Sequence, residues 1–179
     1  MKFRLHQAQS ALLLVDLQTL LLPAIEHGAA VVARAAFLAQ VARLLDVPVF
    51  ATEQNPAGLG PTEPSLVPLI DRTLTKFAFD ATAEPGLLAA LPDRAQIVVA
   101  GSEAHVCVLQ TAIGLHHAGR SVAVVADAVG SRRASDRETA LARLRAAGID
   151  VVSAEMVAFE WLGRSDHPRF RDVLKLLRE

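Results

Sequence analysis

Short apolar runs and stretches with helical spacing alternate along the chain. Continuous apolar runs such as residues 11–15 and 97–100 predict strands that are buried on both faces of a sheet. Residues 27–45 carry apolar side chains three and four positions apart, which predicts a helix packed along one side. The same reading continues to the C-terminus and places six strands at residues 11–15, 47–51, 73–79, 97–100, 121–126 and 150–153.

Strands that alternate with helices predict an α/β fold with a mainly parallel sheet. A short helix with Pro85 in its first turn is expected at residues 84–91, and two closing helices at 154–162 and 168–177. The Gly- and Pro-rich segment 52–62 follows the second strand and cannot form regular structure. A loop in that position is a natural wall or lid for a pocket.

Composition narrows the class of protein. The 179 residues are 52% hydrophobic, so we expect one compact domain that spans residues 1–179. The net charge of −1 indicates no basic surface for nucleic acid or an acidic membrane. The N-terminal apolar run is too short for a signal core or a membrane span, and one cysteine excludes an internal disulfide. These features predict a cytoplasmic protein.

Three residues with useful chemistry fall at the predicted ends of strands. Cys107 lies near the start of the helix after the fourth strand, where the helix dipole favours a thiolate. That segment by itself is also typical of a buried core thiol. Asp16 and Lys76 lie at the ends of the first and third strands. Right-handed crossovers bring these ends to one edge of a parallel sheet, so we expect the three side chains to meet.

A thiol, a carboxylate and an ammonium group together permit acyl transfer to water. Asp16 would take the thiol proton and return it to a leaving amine, and Lys76 would orient the carboxylate and stabilise the thiolate. Backbone N–H groups of the turn before Cys107 would bind the oxyanion. His105 is the competing base, but residues two apart in a turn or helix usually point apart, so we place it at the pocket mouth. The six histidines show no metal-ligand spacing, and we expect neither metal nor cofactor.

The chain resembles the isochorismatase-like cysteine hydrolases, a family that includes nicotinamidases and N-carbamoyl hydrolases. The resemblance runs from about residue 11 to the C-terminus and is greatest for the small isochorismatase domain-containing proteins. It rests on motifs in the family's order, at residues 14–18 (LVDLQ), 52–54 (TEQ), 58–62 (GLGPT), 75–79 (TKFAF), 99–101 (VAG), 104–112 (AHVCVLQTA), 125–128 (VADA), 131–132 (SR) and 167–168 (HP).

The resemblance implies a six-stranded parallel sheet between two helical layers, with Asp16, Lys76 and Cys107 as a catalytic triad. It also implies a cis peptide bond between Ser102 and Glu103, which would expose the N–H groups of Glu103 and Cys107 as the oxyanion hole. Such proteins are commonly homo-oligomers. The substrate pocket is expected to be small and partly apolar, and its candidate residues are Gln18, Glu53, Asn55, Leu59, Phe77, Phe79 and His105.

Two departures from the family pattern affect the expected activity. The sequence Ser102-Glu103-Ala104 replaces the usual Val-x-Thr, and we expect the Glu103 carboxylate to face solvent. Nicotinamidases carry an Asp-x-His metal motif where residues 52–55 read TEQN, which counts against a metal and against nicotinamide as substrate. The leading hypothesis is a metal-independent cysteine hydrolase that cleaves a C–N bond of a small amide or carbamoyl compound. It requires a thiol pKa below the ordinary value of about 8.5.

Three alternatives remain open at this point. An isochorismatase-type ether hydrolase is disfavoured by Cys107, since true isochorismate hydrolases typically lack this cysteine. A non-catalytic, oligomeric member of the family would have a filled pocket and an ordinary thiol. A redox-sensing thiol would need a resolving cysteine, and the chain has none.

Overall fold

A computed structural model describes residues 4–178, and its centre is a six-stranded sheet. Every neighbouring pair of strands is parallel, and the spatial order is β3-β2-β1-β4-β5-β6. The strands are β1 Ser10–Val15, β2 Val49–Gln54, β3 Arg72–Lys76, β4 Gln96–Ser102, β5 Ser121–Gly130 and β6 Asp150–Val152. The predicted six-stranded, mainly parallel α/β architecture is confirmed.

Helices cover both faces of the sheet. Helices α1, α6 and α7 pack on one face, and α3, α4 and α5 pack on the other. The helices are α1 Gly28–Leu44, α2 Pro56–Leu59, α3 Leu87–Ala90, α4 Leu109–His117, α5 Ala134–Ala146, α6 Ala154–Leu162 and α7 Phe170–Leu176. None of the helices in residues 4–178 is long and apolar enough to cross a membrane.

The two central strands explain why the apolar runs are continuous. Every residue of β1 and of β4 is buried. Successive side chains of a strand point to opposite faces, so Leu12 and Leu14 join one core while Leu13 and Val15 join the other. A strand with both faces covered has no polar side, which is the pattern of residues 11–15.

The strand order reverses direction between β1 and β4. The chain builds outward from β1 to β3, then returns to place β4 against the other side of β1. The connections that leave β1 and β4 therefore pass to opposite faces of the sheet, a topology that commonly places a crevice beyond the carboxyl ends of the strands. Ligands of open α/β sheets bind in such a crevice.

The helix expected at residues 84–91 is present but shorter, since only the single turn of α3, Leu87–Ala90, is helical. A 3-10 turn, Ala81–Ala83, precedes it. Gly86, at a φ of 83°, separates the two turns. The Glu84 carboxylate accepts hydrogen bonds from the N–H groups of Phe77 and Ala78, both at 2.6 Å, and so holds the chain that follows β3 rather than starting a helix.

Candidate active site

Asp16 follows β1 directly and is completely buried. The Thr52 hydroxyl donates a hydrogen bond to Oδ1 at 2.7 Å. The Lys76 Nζ atom lies 2.7 Å from Oδ2, and neither side chain of this ion pair has exposed surface. A buried carboxylate requires such partners, since an unpaired charge in the core is strongly unfavourable.

Lys76 is the last residue of β3, the outermost strand on this side of the sheet, and its side chain reaches Asp16. Its ammonium group has three N–H donors and meets three oxygens: Asp16 Oδ2, Gln54 Oε1 at 2.7 Å and the Ala78 carbonyl at 3.3 Å. The Gln54 amide is itself fixed, since its Nε2 donates to the Phe77 carbonyl at 2.7 Å. Lys76 therefore has a single, fully partnered position beside Asp16.

The Oδ2 atom of Asp16 retains room for another donor. Lys76 contacts it as an ion pair, but within the described residues no donor is aligned with this oxygen for a hydrogen bond. The Cys107 thiol interacts with both the Asp16 carboxylate and the Lys76 ammonium group. The structure therefore brings together Asp16, Lys76 and Cys107, from the ends of three strands.

Cys107 lies in a π-helical turn, Ala104–Val108, between β4 and α4. The wide turn forms because the Glu103 carbonyl accepts hydrogen bonds from the N–H groups of both Val106, at 3.1 Å, and Val108, at 3.2 Å. Single π-helical turns occur frequently at functional sites. The turn buries the thiol, which is 7% exposed, against the ends of the central strands.

Burial raises the pKa of the Cys107 thiol to about 12, and the negative charge of Asp16 adds to this increase. The positive charge of Lys76 acts in the opposite direction but is outweighed. The expectation of a lowered thiol pKa is wrong. The physical reason is desolvation. The free energy lost when the thiolate leaves water exceeds the stabilisation that the neighbouring Lys76 ammonium group provides.

The raised pKa makes alkylation of Cys107 strongly dependent on pH. Iodoacetamide should label the resting protein slowly at pH 7, and the rate should rise about tenfold per pH unit up to pH 10, because only the thiolate reacts. Asp16→Asn should lower the pKa of Cys107 and speed labelling at pH 8, since it removes a charge that raises that pKa. Mass spectrometry of the single cysteine measures both rates. A rate that is flat above pH 8 would contradict the raised pKa.

The turn between β4 and Cys107 is held close to β1. A Cβ atom on Gly101 would lie 2.0 Å from the Val15 carbonyl oxygen, so only glycine fits, with a φ of 134°. The Ser102 hydroxyl donates a hydrogen bond to the Asp16 carbonyl at 2.9 Å, and the Ser102–Glu103 peptide bond is cis. Within residues 4–178, the Glu103 N–H has no hydrogen-bond acceptor.

The Glu103 side chain does not face solvent as expected, since it is only 12% exposed. Arg132, just after β5, donates a hydrogen bond from Nε to the Glu103 carboxylate at 2.9 Å. His105 Nδ1 lies 3.9 Å from the same carboxylate and 2.9 Å from the Ser131 hydroxyl. The carboxylate is drawn toward β5 by this guanidinium, which the sequence reading did not anticipate.

Two of the candidate pocket residues hold a loop. Gln18 is completely buried, and its amide binds the Gln54 backbone and the Gly60 carbonyl. The Glu53 carboxylate accepts hydrogen bonds from the N–H and the hydroxyl of Thr62, both at 2.7 Å. These bonds fix residues 55–62 over the carboxyl ends of β1 and β2. The expectation that residues 52–62 lack regular structure is wrong, since β2 runs to Gln54 and Pro56–Leu59 form α2. Contact of Gln18 or Glu53 with a substrate stays a prediction.

The other candidate pocket residues present surface to solvent. Phe77 and Phe79 are 68% and 54% exposed, immediately after the Lys76 strand. Asn55 is exposed, Leu59 is half-buried, and the N–H of Asn55 donates to the Lys76 carbonyl. His105 is half-buried, and its Nδ1 contacts the Ser131 hydroxyl. Their role as pocket walls stays a prediction as well.

Sequence reasoning missed Thr52 and Gln54, which directly contact Asp16 and Lys76. They are two positions apart on β2, so their side chains share one face of the sheet. The available signal was that the polar residues Thr52 and Gln54 continue the apolar run of β2. Its meaning depended on the register that pairs Gln54 with Lys76 and Val15 with Thr52, which no sequence pattern gave.

No three His, Cys, Asp or Glu side chains in the described part of the chain are placed to hold a metal ion together. The candidate site therefore consists of a carboxylate, an ammonium group, a thiol and backbone N–H groups. These are the components of acid–base and nucleophilic chemistry.

Known proteins with similar sequences and folds place this site in a family. Residues 10–156 match the family model of the Isochorismatase domain. Isochorismatase domain-containing protein 2A of Mus musculus is 38% identical over 179 residues, which cover 98% of this chain and 86% of the relative. The structure of MAR1 ribonuclease from Caenorhabditis elegans superposes with a TM-score of 0.94 at 34% identity, covering 99% of this chain and 93% of the other.

A more distant structure shares the fold. The YcaC gene product of Escherichia coli, described as an octameric hydrolase of unknown specificity, has a TM-score of 0.83 at 23% identity and covers 99% of this chain and 98% of its own. The family model and the murine relative both span most of the sequence. This protein is a member of the Isochorismatase domain family.

Proposed function

We propose that the protein is a metal-independent cysteine hydrolase that cleaves the C–N bond of a small amide or carbamoyl compound. The observation that supports this most is the buried cluster in which the Cys107 thiol meets the Asp16 carboxylate beside Lys76. A nucleophile, a base that contacts it and a group that orients the base form the pattern of covalent hydrolases. Family membership supports hydrolysis in general terms.

The first half of the reaction forms a thioester. The substrate carbonyl oxygen binds the N–H groups of Glu103 and Cys107, and sulfur attacks the carbonyl carbon while Asp16 takes the thiol proton. Because the pKa of Cys107 is raised to about 12, the reaction does not start from a resting thiolate, contrary to the requirement stated for this hypothesis. We propose instead that the proton leaves during the attack, which needs a neighbouring base and not a lowered thiol pKa. The tetrahedral intermediate then collapses, the C–N bond breaks, and Asp16 returns the proton to the leaving nitrogen.

The second half regenerates the thiol. A water molecule attacks the thioester while Asp16 accepts one of its protons, and the acid leaves as the proton moves to sulfur. Lys76 remains paired with Asp16 throughout, so the carboxylate is oriented toward sulfur and its negative charge is balanced. Each proton that leaves a nucleophile passes through Asp16 and reaches a leaving group, so the cycle is balanced.

Asp16 is a better base for this chemistry than His105. The Asp16 carboxylate contacts the thiol, and its Oδ2 has no aligned hydrogen-bond donor in the described residues. The His105 ring uses Nδ1 to bind Ser131, on the β5 side of the turn. We propose that His105 lines the mouth of the pocket.

The name of one structural relative favours another activity. The Caenorhabditis elegans protein is named a ribonuclease. Cleavage of RNA is favoured by free cations that bind phosphate, but Lys76 and Arg132 are each already paired with a carboxylate. We therefore propose amide hydrolysis over RNA cleavage. We also propose a homo-oligomer, which is supported by the octameric YcaC protein and by the exposed Phe77 and Phe79 side chains.

The proposed activity is tested with a panel of small primary amides, carbamoyl compounds, a vinyl ether and a short RNA. At least one amide or carbamoyl compound should release ammonia and leave a transient acyl mass on the peptide that contains Cys107. Protein alkylated beforehand with iodoacetamide is the matched control, because the chain has a single cysteine. Cleavage of only the RNA or the vinyl ether, or turnover by the alkylated protein, would overturn the proposal.

A further inference from the structure

The charged side chains of this region each have a partner. Lys76 is held by Asp16 at 2.7 Å, and Arg132 by Glu103 at 2.9 Å. Glu53 and Glu84 add two carboxylates whose partners are backbone N–H groups and a hydroxyl. Lys76 and Arg132 therefore each have a carboxylate partner that offsets their positive charge.

The pair between Glu103 and Arg132 lies at the edge of the sheet where Cys107 is found. Glu103 follows β4 and begins the turn that holds Cys107. Arg132 follows β5, and the pairing of Ser102 with Gly130 brings the two strand ends side by side. The Glu103 side chain is 12% exposed and the Arg132 side chain is 61% exposed, so Glu103 is the inner member of the pair.

The Glu103 carboxylate lies close enough to the proposed substrate site to affect which ligands bind there. Glu103 carries the free backbone N–H that we assign to the substrate carbonyl, and its own side chain lies within about 5 Å of that N–H by covalent geometry. A negative charge at that distance repels another negative charge in a partly buried site. Arg132 would attract such a charge, but the Glu103 carboxylate binds its Nε and offsets the charge of the guanidinium.

We propose that Glu103 is a specificity-determining residue that makes the site select uncharged substrates and reject carboxylates. It offsets the positive charge of Arg132 and, as the inner member of the pair, places its negative charge beside the reacting carbonyl. This inference rests on the proposed function only in taking the surroundings of Cys107 as the substrate site. It narrows the substrate class to neutral amides and carbamoyl compounds.

Two alkylating agents of nearly equal size test the inference directly. Iodoacetamide is neutral and iodoacetate is an anion, and each reports on access to Cys107 without any turnover. After normalisation to glutathione, iodoacetate should label the wild-type protein at least about tenfold more slowly than iodoacetamide, because the carboxylates repel it. In Glu103→Gln, the iodoacetate rate relative to iodoacetamide should rise about tenfold, since Arg132 becomes available.

A double variant separates attraction from loss of repulsion. Arg132→Gln added to Glu103→Gln should remove most of the gain in iodoacetate labelling, because the released guanidinium is then absent. Glu138→Gln is the matched control, since it removes a carboxylate paired with Arg137 on the exposed side of α5. That control should keep the wild-type ratio of the two labelling rates.

Two outcomes would overturn the inference. Equal normalised labelling of the wild type by the two reagents at low salt would show that the site does not discriminate by charge, and this measurement needs no variant. An unchanged ratio in Glu103→Gln would show that Glu103 is not responsible. Neither outcome depends on hydrolysis, so failure of the proposed reaction in the substrate panel is a separate result.

Discussion

Replacement of Cys107 by alanine is expected to reduce the turnover of any hydrolysed substrate by roughly 10⁴-fold or more, because the atom that forms the thioester is gone. Asp16 and Lys76 would remain paired, but the carboxylate would have only water to activate. The measurement is ammonia release at saturating substrate. No acyl mass should appear on the variant.

The fold should tolerate the loss of this side chain. Cys107 is a small buried residue, so we expect the free energy of unfolding to fall by only about 1 kcal/mol, measured with urea. Cys107→Ser is the conservative control and should be nearly as inactive as alanine, because a hydroxyl is a much weaker nucleophile than a thiol. A Cys107→Ala protein that turns over substrate at the wild-type rate would contradict the mechanism.

Replacement of Lys76 by methionine is expected to lower the free energy of unfolding by about 3–5 kcal/mol, since it leaves the Asp16 carboxylate buried without its cation. Gln54 Oε1 would lose its donor as well. Methionine nearly matches lysine in length, so packing is largely kept and the electrostatic effect dominates. Urea denaturation at neutral pH measures the loss, and hydrolysis should fall by about 100-fold or more because the base is misplaced.

A double variant distinguishes loss of a charge from loss of packing. Asp16→Asn combined with Lys76→Met removes both charges and should recover a large part of the lost stability, because a neutral buried pair has no uncompensated charge. It should remain inactive, since an amide cannot take the thiol proton. A double variant less stable than Lys76→Met alone would show that the ion pair is not the cause of the destabilisation.

The positions of the three reactive groups could be predicted because each lies at or shortly after the end of a strand. Apolar runs ending at Asp16 and before Cys107 identified the two central strands, and the rules for parallel sheets bring strand ends together at one edge. The sequence could not give the register, and so Thr52 and Gln54 were not identified as partners of Asp16 and Lys76. A register is set by contacts between distant segments, which leave no local pattern.

The pKa of the Cys107 thiol was predicted to be lowered, whereas the structure raises it. The start of a helix and a nearby lysine both favour a thiolate, and these are features that a sequence displays. Burial and the adjacent Asp16 charge act in the opposite direction and raise the pKa of Cys107 to about 12. Desolvation depends on how much chain surrounds a group, so it appears only when the fold is complete.

The sequence by itself determined the α/β fold, its six parallel strands and the meeting of Asp16, Lys76 and Cys107, because strand ends and crossovers follow local patterns of apolar residues. Only the tertiary structure decided the protonation of the thiol and the orientation of Glu103. Both depend on side chains from other strands. Arg132 turns the Glu103 carboxylate toward β5, and burial beside Asp16 keeps the proton on Cys107 until a substrate arrives.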